Sequence, residues 1–184
     1  NKKMRHTITL SQYNITLRPV EETDIESLRC WRNDSANAKY IRALPYITPQ
    51  MQREWFEAYL KDDDHVMFAA LRAGELIGSV SLYDRYGEEA QFGRLLIGNP
   101  TARGKGCAAA ITSLCLKAGF ETLGLSRIYA SVHTKNLPAL KTYVRVGFLI
   151  DGTEPFAPQS EQVAYRISIE KERFLRLNGG MDER

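Results

Sequence analysis

Little in this chain points to metal, membrane or disulfide chemistry. Three cysteines, Cys30, Cys107 and Cys115, occur among 184 residues, an odd number at spacings that fit no zinc motif. Cys107 and Cys115 fall two turns apart in a helical segment and cannot bridge each other. Reduced thiols, no metal and a cytoplasmic setting are the expectation. No uninterrupted apolar run approaches the length of a membrane span, and no signal-peptide pattern opens the chain, so no membrane partner is expected. Neither sign of charge dominates. Against 22 acidic residues stand 25 basic ones, a formal net charge of +3. That is too mild to argue for nucleic acid, and no basic stripe with interleaved aromatics adds to it. Repeats, linkers and low-complexity segments are missing too. What is present, 43% hydrophobic and 26% charged residues over 184 positions, suffices for one domain with a real core but not comfortably for two.

Two segments carry chemistry. The first is Arg103-Gly104-Lys105-Gly106-Cys107-Ala108, set between an apolar strand ending at Leu95-Leu96-Ile97-Gly98 and a helix with Ala108, Ile111, Leu114, Cys115 and Ala118 on one face. A glycine-rich loop opening a helix offers unpaired N–H groups and a positive dipole end, which favour phosphate or pyrophosphate. It is not a P-loop. Five residues rather than four separate Gly98 from Gly104-Lys105, and Gly106 stands where the magnesium-binding Ser or Thr belongs. The second segment runs from Asn136 to Phe148. Asn136 suits a helix N-cap, Pro138 the first turn and Gly147 the stop, while Tyr143 falls two turns after Asn136 on the same side.

Around these, the pattern reads as a single α/β domain over residues 14–169, preceded by a flexible segment 1–13 and followed by a charged tail 170–184 that either forms a short helix or meets a partner. Strands are expected at 13–18, 67–71, 76–83, 90–98, 128–132, 148–151 and 163–169. A first helix starts at a capping box, Thr23 to Glu26, and runs to about Asn33. A second opens at Thr48-Pro49 with Met51, Trp55, Ala58 and Tyr59 inward.

The two segments together resemble the GNAT superfamily of N-acetyltransferases. Its donor loop has Gln or Arg, two residues, Gly, one residue, then Gly or Ala, matched by Arg103, Gly106 and Ala108. Its later element is matched by Asn136, Ala139, Tyr143, Arg145, Gly147 and Phe148. The resemblance runs from about Asn14 to Ile169. It implies a single mixed, mostly antiparallel twisted sheet of about six to seven strands flanked by about four helices. It also implies acetyl-CoA as donor. The pyrophosphate is expected on Arg103, Gly104, Lys105, Gly106, Cys107 and Ala108, and the pantetheine along Leu95, Leu96 and Ile97 in the manner of an added strand. Asn136 and Ala139 are expected beside the cofactor arm, and a backbone N–H near Leu96 on the thioester carbonyl. Tyr143 matches the acid that protonates the departing sulfur.

The general base is open. Where many relatives carry a strand glutamate this chain has Gln91, with Glu89 two residues earlier, and Glu89, His133 or a water chain could serve. For the acceptor, the expectation falls on the first two helices and their connection, on Arg32, Asn33, Arg42 and Tyr46, with Arg29 and Tyr40 nearby. This region is similar to subgroups that acetylate ribosomal-protein N-termini or nucleotide-linked amino sugars. A small-molecule amine such as an amino sugar is preferred, because guanidinium groups bind phosphate bidentately and no basic tail is present. The alternatives are a protein N-terminal amine or a non-catalytic acyl-CoA-binding sensor. A homodimer is also expected from the resemblance.

Overall fold

The computed structural model describes residues 3–37 and 45–179. Eight strands form one sheet in the order β1-β2-β3-β4-β5-β6-β8-β7. They are β1 (Leu10–Gln12), β2 (Ile15–Pro19), β3 (Val66–Arg72), β4 (Glu75–Tyr86), β5 (Glu89–Ile97), β6 (Arg127–His133), β7 (Leu149–Pro155) and β8 (Val163–Glu170). Five α-helices flank it: α1 (Ile25–Asn33), α2 (Pro49–Tyr59), α3 (Cys107–Lys117), α4 (Leu137–Val146) and α5 (Lys171–Asn178). This is a mixed, mostly antiparallel sheet, as expected, with one strand and one helix more than the sequence suggested. The additional strand, β1, lies in the segment expected to be loose and pairs with β2. The additional helix, α5, lies in the charged tail, and its Phe174 is buried against Phe120.

Only β5 and β6 pair in parallel, and the crossover that parallel pairing requires is supplied by α3. Every other neighbour is antiparallel. The β3–β4 turn shows why so short a link suffices: Ala73 (φ 49°) and Gly74 (φ 82°) both lie in the left-handed region, the two-residue geometry that matches strand twist.

Strand alternation divides the apolar residues between two cores. Phe68, Ala70, Val80, Leu82, Phe92, Ile128, Ala130 and Val132 face α3, α4 and α5. The opposite face at β3 meets α1 and α2 through Ala69, Leu28, Phe56 and Tyr59. Two local expectations change here. The box at the start of the first helix is formed by Glu21 and Asp24, with Asp24 also taking a bidentate pair from Arg18 at 2.6 and 2.8 Å. In α2 the buried face is Gln52, Phe56 and Tyr59, whereas Met51 and Ala58 are exposed. Gln52 tolerates burial because its amide donates to the Ile25 carbonyl at 2.9 Å, a partner no periodicity count can see.

Candidate active site

The sheet comes apart at its centre. β5 and β6 pair at Glu89–Arg127, Ala90–Ile128 and Gln91–Tyr129, and then no further. β6 stays paired with β8 along its whole length, so the inner edges of β5 beyond Gln91 and of β6 beyond Tyr129 face each other across a fork. On its other edge β5 carries a bulge. Ser79 pairs with Leu96 and Ser81 with Gly93, so Arg94 and Leu95 together oppose a single residue of β4. Arg94 takes the strain at φ 54°. A bulge re-aims backbone N–H groups, and here it does so in the wall of the fork. The cavity held there has a volume of about 980 Å³ and is lined by Gln91 to Ile97 of β5, by Ala130 to His133 of β6, and by Tyr143 and Asn136 of α4.

Tyr143 is fixed by two phenylalanines, edge-on to Phe92 at 5.5 Å and to Phe148 at 5.9 Å. Its hydroxyl has no hydrogen-bond partner among the described residues. Burial pushes its pKa above the ordinary tyrosine value, so the group is a neutral O–H donor at working pH. Asn136 caps α4, its Oδ1 accepting from the Ala139 N–H at 3.4 Å, and Gly147 (φ 130°) ends the helix. Ala139 packs toward the core rather than into the cavity.

The loop at residues 103–108 has a geometry suited to an anion. Asn99 Oδ1 accepts from Thr101, tightening the approach, and Arg103 reaches across to Asn37 Oδ1 at 2.6 Å. Gly104 (φ 70°) and Gly106 (φ 72°) are left-handed, and a Cβ on either would meet nothing within 4 Å. Glycine is therefore required there by backbone conformation, and the N–H groups of Gly104, Lys105 and Gly106 have no acceptor among the described residues. Cys107 and Ala108 add the orphan donors of the first turn of α3. Orphaned donors at the loop and unpaired strand edges at Leu95–Ile97 fit the two ends of acetyl-CoA, its pyrophosphate and its pantetheine amides.

The candidates for a base separate. Gln91 lines the fork. Glu89 lies outside it, exposed and paired with Arg127 at 3.6 Å. His133 borders the fork, but its Nδ1 accepts from the Lys135 N–H at 3.0 Å and its Nε2 faces Gln162 Oε1 at 3.2 Å. The acceptor residues separate as well. Arg32 lines the cavity with no counter-ion among the described residues, and burial, then Arg94, hold its pKa below the ordinary arginine value. Asn33 instead clamps the Ile47 backbone by two hydrogen bonds, at 2.8 and 2.9 Å. Tyr46 receives Arg29 at 3.2 Å and points to solvent. Arg42 and Tyr40 lie outside the described residues.

Several residues in the fork had no signal in the sequence. His65 is buried against Ser81, with Nε2 and Oγ 2.8 Å apart, and desolvation, followed by Arg94, pushes its pKa down to about 4. Arg94 lies 4.0 Å over the Tyr83 ring. Ser131 completes the set. These groups meet only because β3, β4, β5 and β6 are neighbours. Among the described residues no cluster of His, Cys, Asp and Glu could hold a metal ion, and no helix is long and apolar enough to cross a membrane.

Comparison with known proteins gives the same reading. Residues 14–149 match the family described as Acetyltransferase (GNAT) domain. The chain is 26% identical over 170 residues to spermidine N(1)-acetyltransferase of Escherichia coli, covering 90% of each chain. It is 25% identical over 182 residues to aminoglycoside N(6')-acetyltransferase type 1 of Klebsiella pneumoniae, again covering 90% of each. Among solved structures, spermidine N-acetyltransferase of Vibrio cholerae in complex with CoA and spermine superposes with a TM-score of 0.80 at 27% identity, over 88% of this chain and 98% of that one. A forked sheet, a bulged strand, a loop of orphaned N–H donors and a matching family over most of the length lead to one assignment: the chain belongs to the GNAT family and is an acetyl-CoA-dependent N-acetyltransferase.

Proposed function

We propose that this enzyme acetylates a primary amine on a small molecule. The observation that carries the reading is the fork itself, with the Arg94 bulge on one side and the Tyr143 hydroxyl on the other. The neutral amine attacks the thioester carbonyl carbon and a backbone N–H of the bulge takes the developing oxyanion. The C–S bond then breaks, Tyr143 gives its proton to the leaving sulfur, and the proton lost by the nitrogen returns to the tyrosine through water. Arg103 and the N–H groups of residues 104–108 hold the pyrophosphate, Leu95 to Ile97 pair with the pantetheine, and Asn136 contacts the cofactor arm. Gln91 cannot take a proton at neutral pH, and neither His133 nitrogen is free, so a water chain is the reading for the base.

Two acceptor classes compete. An amino sugar, with any phosphate on Arg32, is supported by that arginine's lack of a counter-ion among the described residues and by the aminoglycoside-modifying relative. A polyamine is supported by the spermidine acetyltransferases. Thiol release from acetyl-CoA against a panel of polyamines, amino sugars, nucleotide-linked amino sugars, aminoglycosides and peptide N-termini tests both. Turnover on peptide N-termini alone would overturn the small-molecule reading. Tight CoA binding with silence on every amine would favour the sensor. We also propose self-association in the cytoplasm. A solved V. cholerae relative is described as dodecameric, and β7, the last strand of the sheet, leaves Leu149 and Ile150 about half exposed. Light scattering that gives a monomer mass would remove this.

A further inference from the structure

Two like charges stand together in the wall of the fork cavity. Arg32, on the last turn of α1, and Arg94, in the bulge of β5, both line it. They are close enough that Arg94, after burial, lowers the pKa of Arg32. The Arg32 guanidinium is half-buried and has no hydrogen-bond or ion-pair partner among the described residues. Arg94 has no acid partner among them either. Its guanidinium rests 4.0 Å over the ring of Tyr83, which lines the same cavity.

The neighbouring acids do not balance this pair. Glu26 is taken by Arg29 at 2.6 Å, and Asp34 Oδ1 accepts from the Ala36 N–H at 2.9 Å. Asp84, the one carboxylate among the described lining residues, forms an ion pair with neither arginine, and its charge acts on Tyr129. Glu89 and Asp151 hold Arg127 at 3.6 and 3.5 Å, in the wall of a different cavity that also carries Glu154. Residues 38–44, which follow Asn37 in the chain, include Lys39 and Arg42 but no Asp or Glu. The carbonyl end of α1 favours one cation beside it, not two.

Two guanidinium groups in one cavity repel each other, and a bound anion removes that cost. The planar fork of N–H donors suits phosphate oxygens, which it takes two at a time. Charge narrows the choice further. A phosphate monoester carries about 1.5 to 2 negative charges at pH 7 and balances both arginines, whereas a carboxylate leaves one unmatched. The donor's pyrophosphate is assigned above to residues 103–108, so this pair is left for the acceptor.

We propose that Arg32 and Arg94 bind a phosphate group of the acceptor, whose amine extends into the fork toward Gln91 and Tyr143. This rests on the small-amine reading above and narrows it to phosphorylated amines. A polyamine would meet repulsion at the same place.

Calorimetry on the CoA-loaded enzyme reads this site without turnover, because CoA already occupies the donor loop. Inorganic phosphate should bind the wild type at least ~10-fold more tightly than the Arg32→Gln/Arg94→Gln double variant. CoA affinity should differ by less than about twofold between the two proteins. Relieved of repulsion, the variant should melt at an equal or higher temperature, whereas a pair that holds the fold together would lower it. In thiol release, glucosamine 6-phosphate should exceed glucosamine in kcat/KM by at least ~10-fold, and the variant should bring them near parity through KM. Equal phosphate binding by the two proteins overturns the site, and weakened CoA binding in the variant assigns the arginines to the donor instead. Turnover confined to unphosphorylated amines overturns the acceptor role and leaves the small-amine reading intact. Phosphate bound as described, with no amine acetylated, would sink the small-amine transferase reading and leave the anion site standing.

Discussion

The donor side of the fork and the acceptor side are built from different materials. On the side of α3 and α4, the groups that fit acetyl-CoA come from two continuous stretches, residues 95–108 and 136–148, each positioned by its own backbone: glycine conformation, helix N-termini, a cap, two turns of helix. On the opposite face the groups come from four strands and the residue that leads into β3. His65, Ser81, Asp84, Arg94, Ser131 and Glu154 are aligned by register and by the bulge, not by proximity in the chain. The donor side is therefore fixed by local backbone, whereas the acceptor side can vary one strand residue at a time.

Removing the proposed acid on the donor side should have the largest effect. Tyr143→Phe is expected to lower kcat by about 100-fold or more while CoA affinity by calorimetry stays within about twofold, because the ring packing against Phe92 and Phe148 is kept. Wild-type turnover in that variant would break the contrast at its root.

Next comes the seam between the halves. A Cβ on Gly78 would run into the Leu96 carbonyl of the bulged strand, which is backbone and cannot step aside. Gly78→Ala should cost about 1–3 kcal/mol in stability and weaken CoA binding and turnover together. A variant that binds CoA normally would show that the bulge does not shape the donor edge.

On the acceptor face, burial holds His65 neutral, with a folded pKa of about 4 against 6.5 for an ordinary histidine. Between those values the unfolded chain binds more protons, so this contribution is complete above about pH 6.5 and is lost as pH falls toward 4, with a full size of ~3 kcal/mol. His6, lowered by burial, acts in the same direction. Melting temperatures across this range should drop less steeply in His65→Gln. An unchanged slope would locate the acid sensitivity elsewhere.

The smallest effect is expected at Asn33. Since its amide holds the Ile47 backbone, Asn33→Ala should lower stability by about 1–2 kcal/mol and leave amine selectivity where it was. A changed ratio of amine KM values would return Asn33 to the acceptor site.

The same contrast explains what could be read in advance. The mixed sheet and the donor loop were legible because their signals are local: alternation, helical periodicity, Gly104 and Gly106 before a helix, Asn136 and Gly147 bounding another. The inward face of α2 was misplaced at Met51 and Ala58, because the burial of Gln52 depends on the Ile25 carbonyl of α1 accepting from its amide. Glu89 was placed near the chemistry by strand spacing, yet the fork opens only beyond Gln91 and leaves it outside, beside Arg127. Asn33 and Tyr46 have the right chemistry for a substrate but are occupied within the fold.

The sequence by itself determined the order of the strands and helices from β2 to β8, the glycine loop before α3 and the place of Tyr143 on α4, because each depends on residues within a few turns of one another. Only the tertiary structure decided where the sheet parts, which way the bulge turns β5, and that Gln91, Arg94 and Ser131 border one cavity. Those relations are set by strand pairing across distant segments, and no local pattern encodes them.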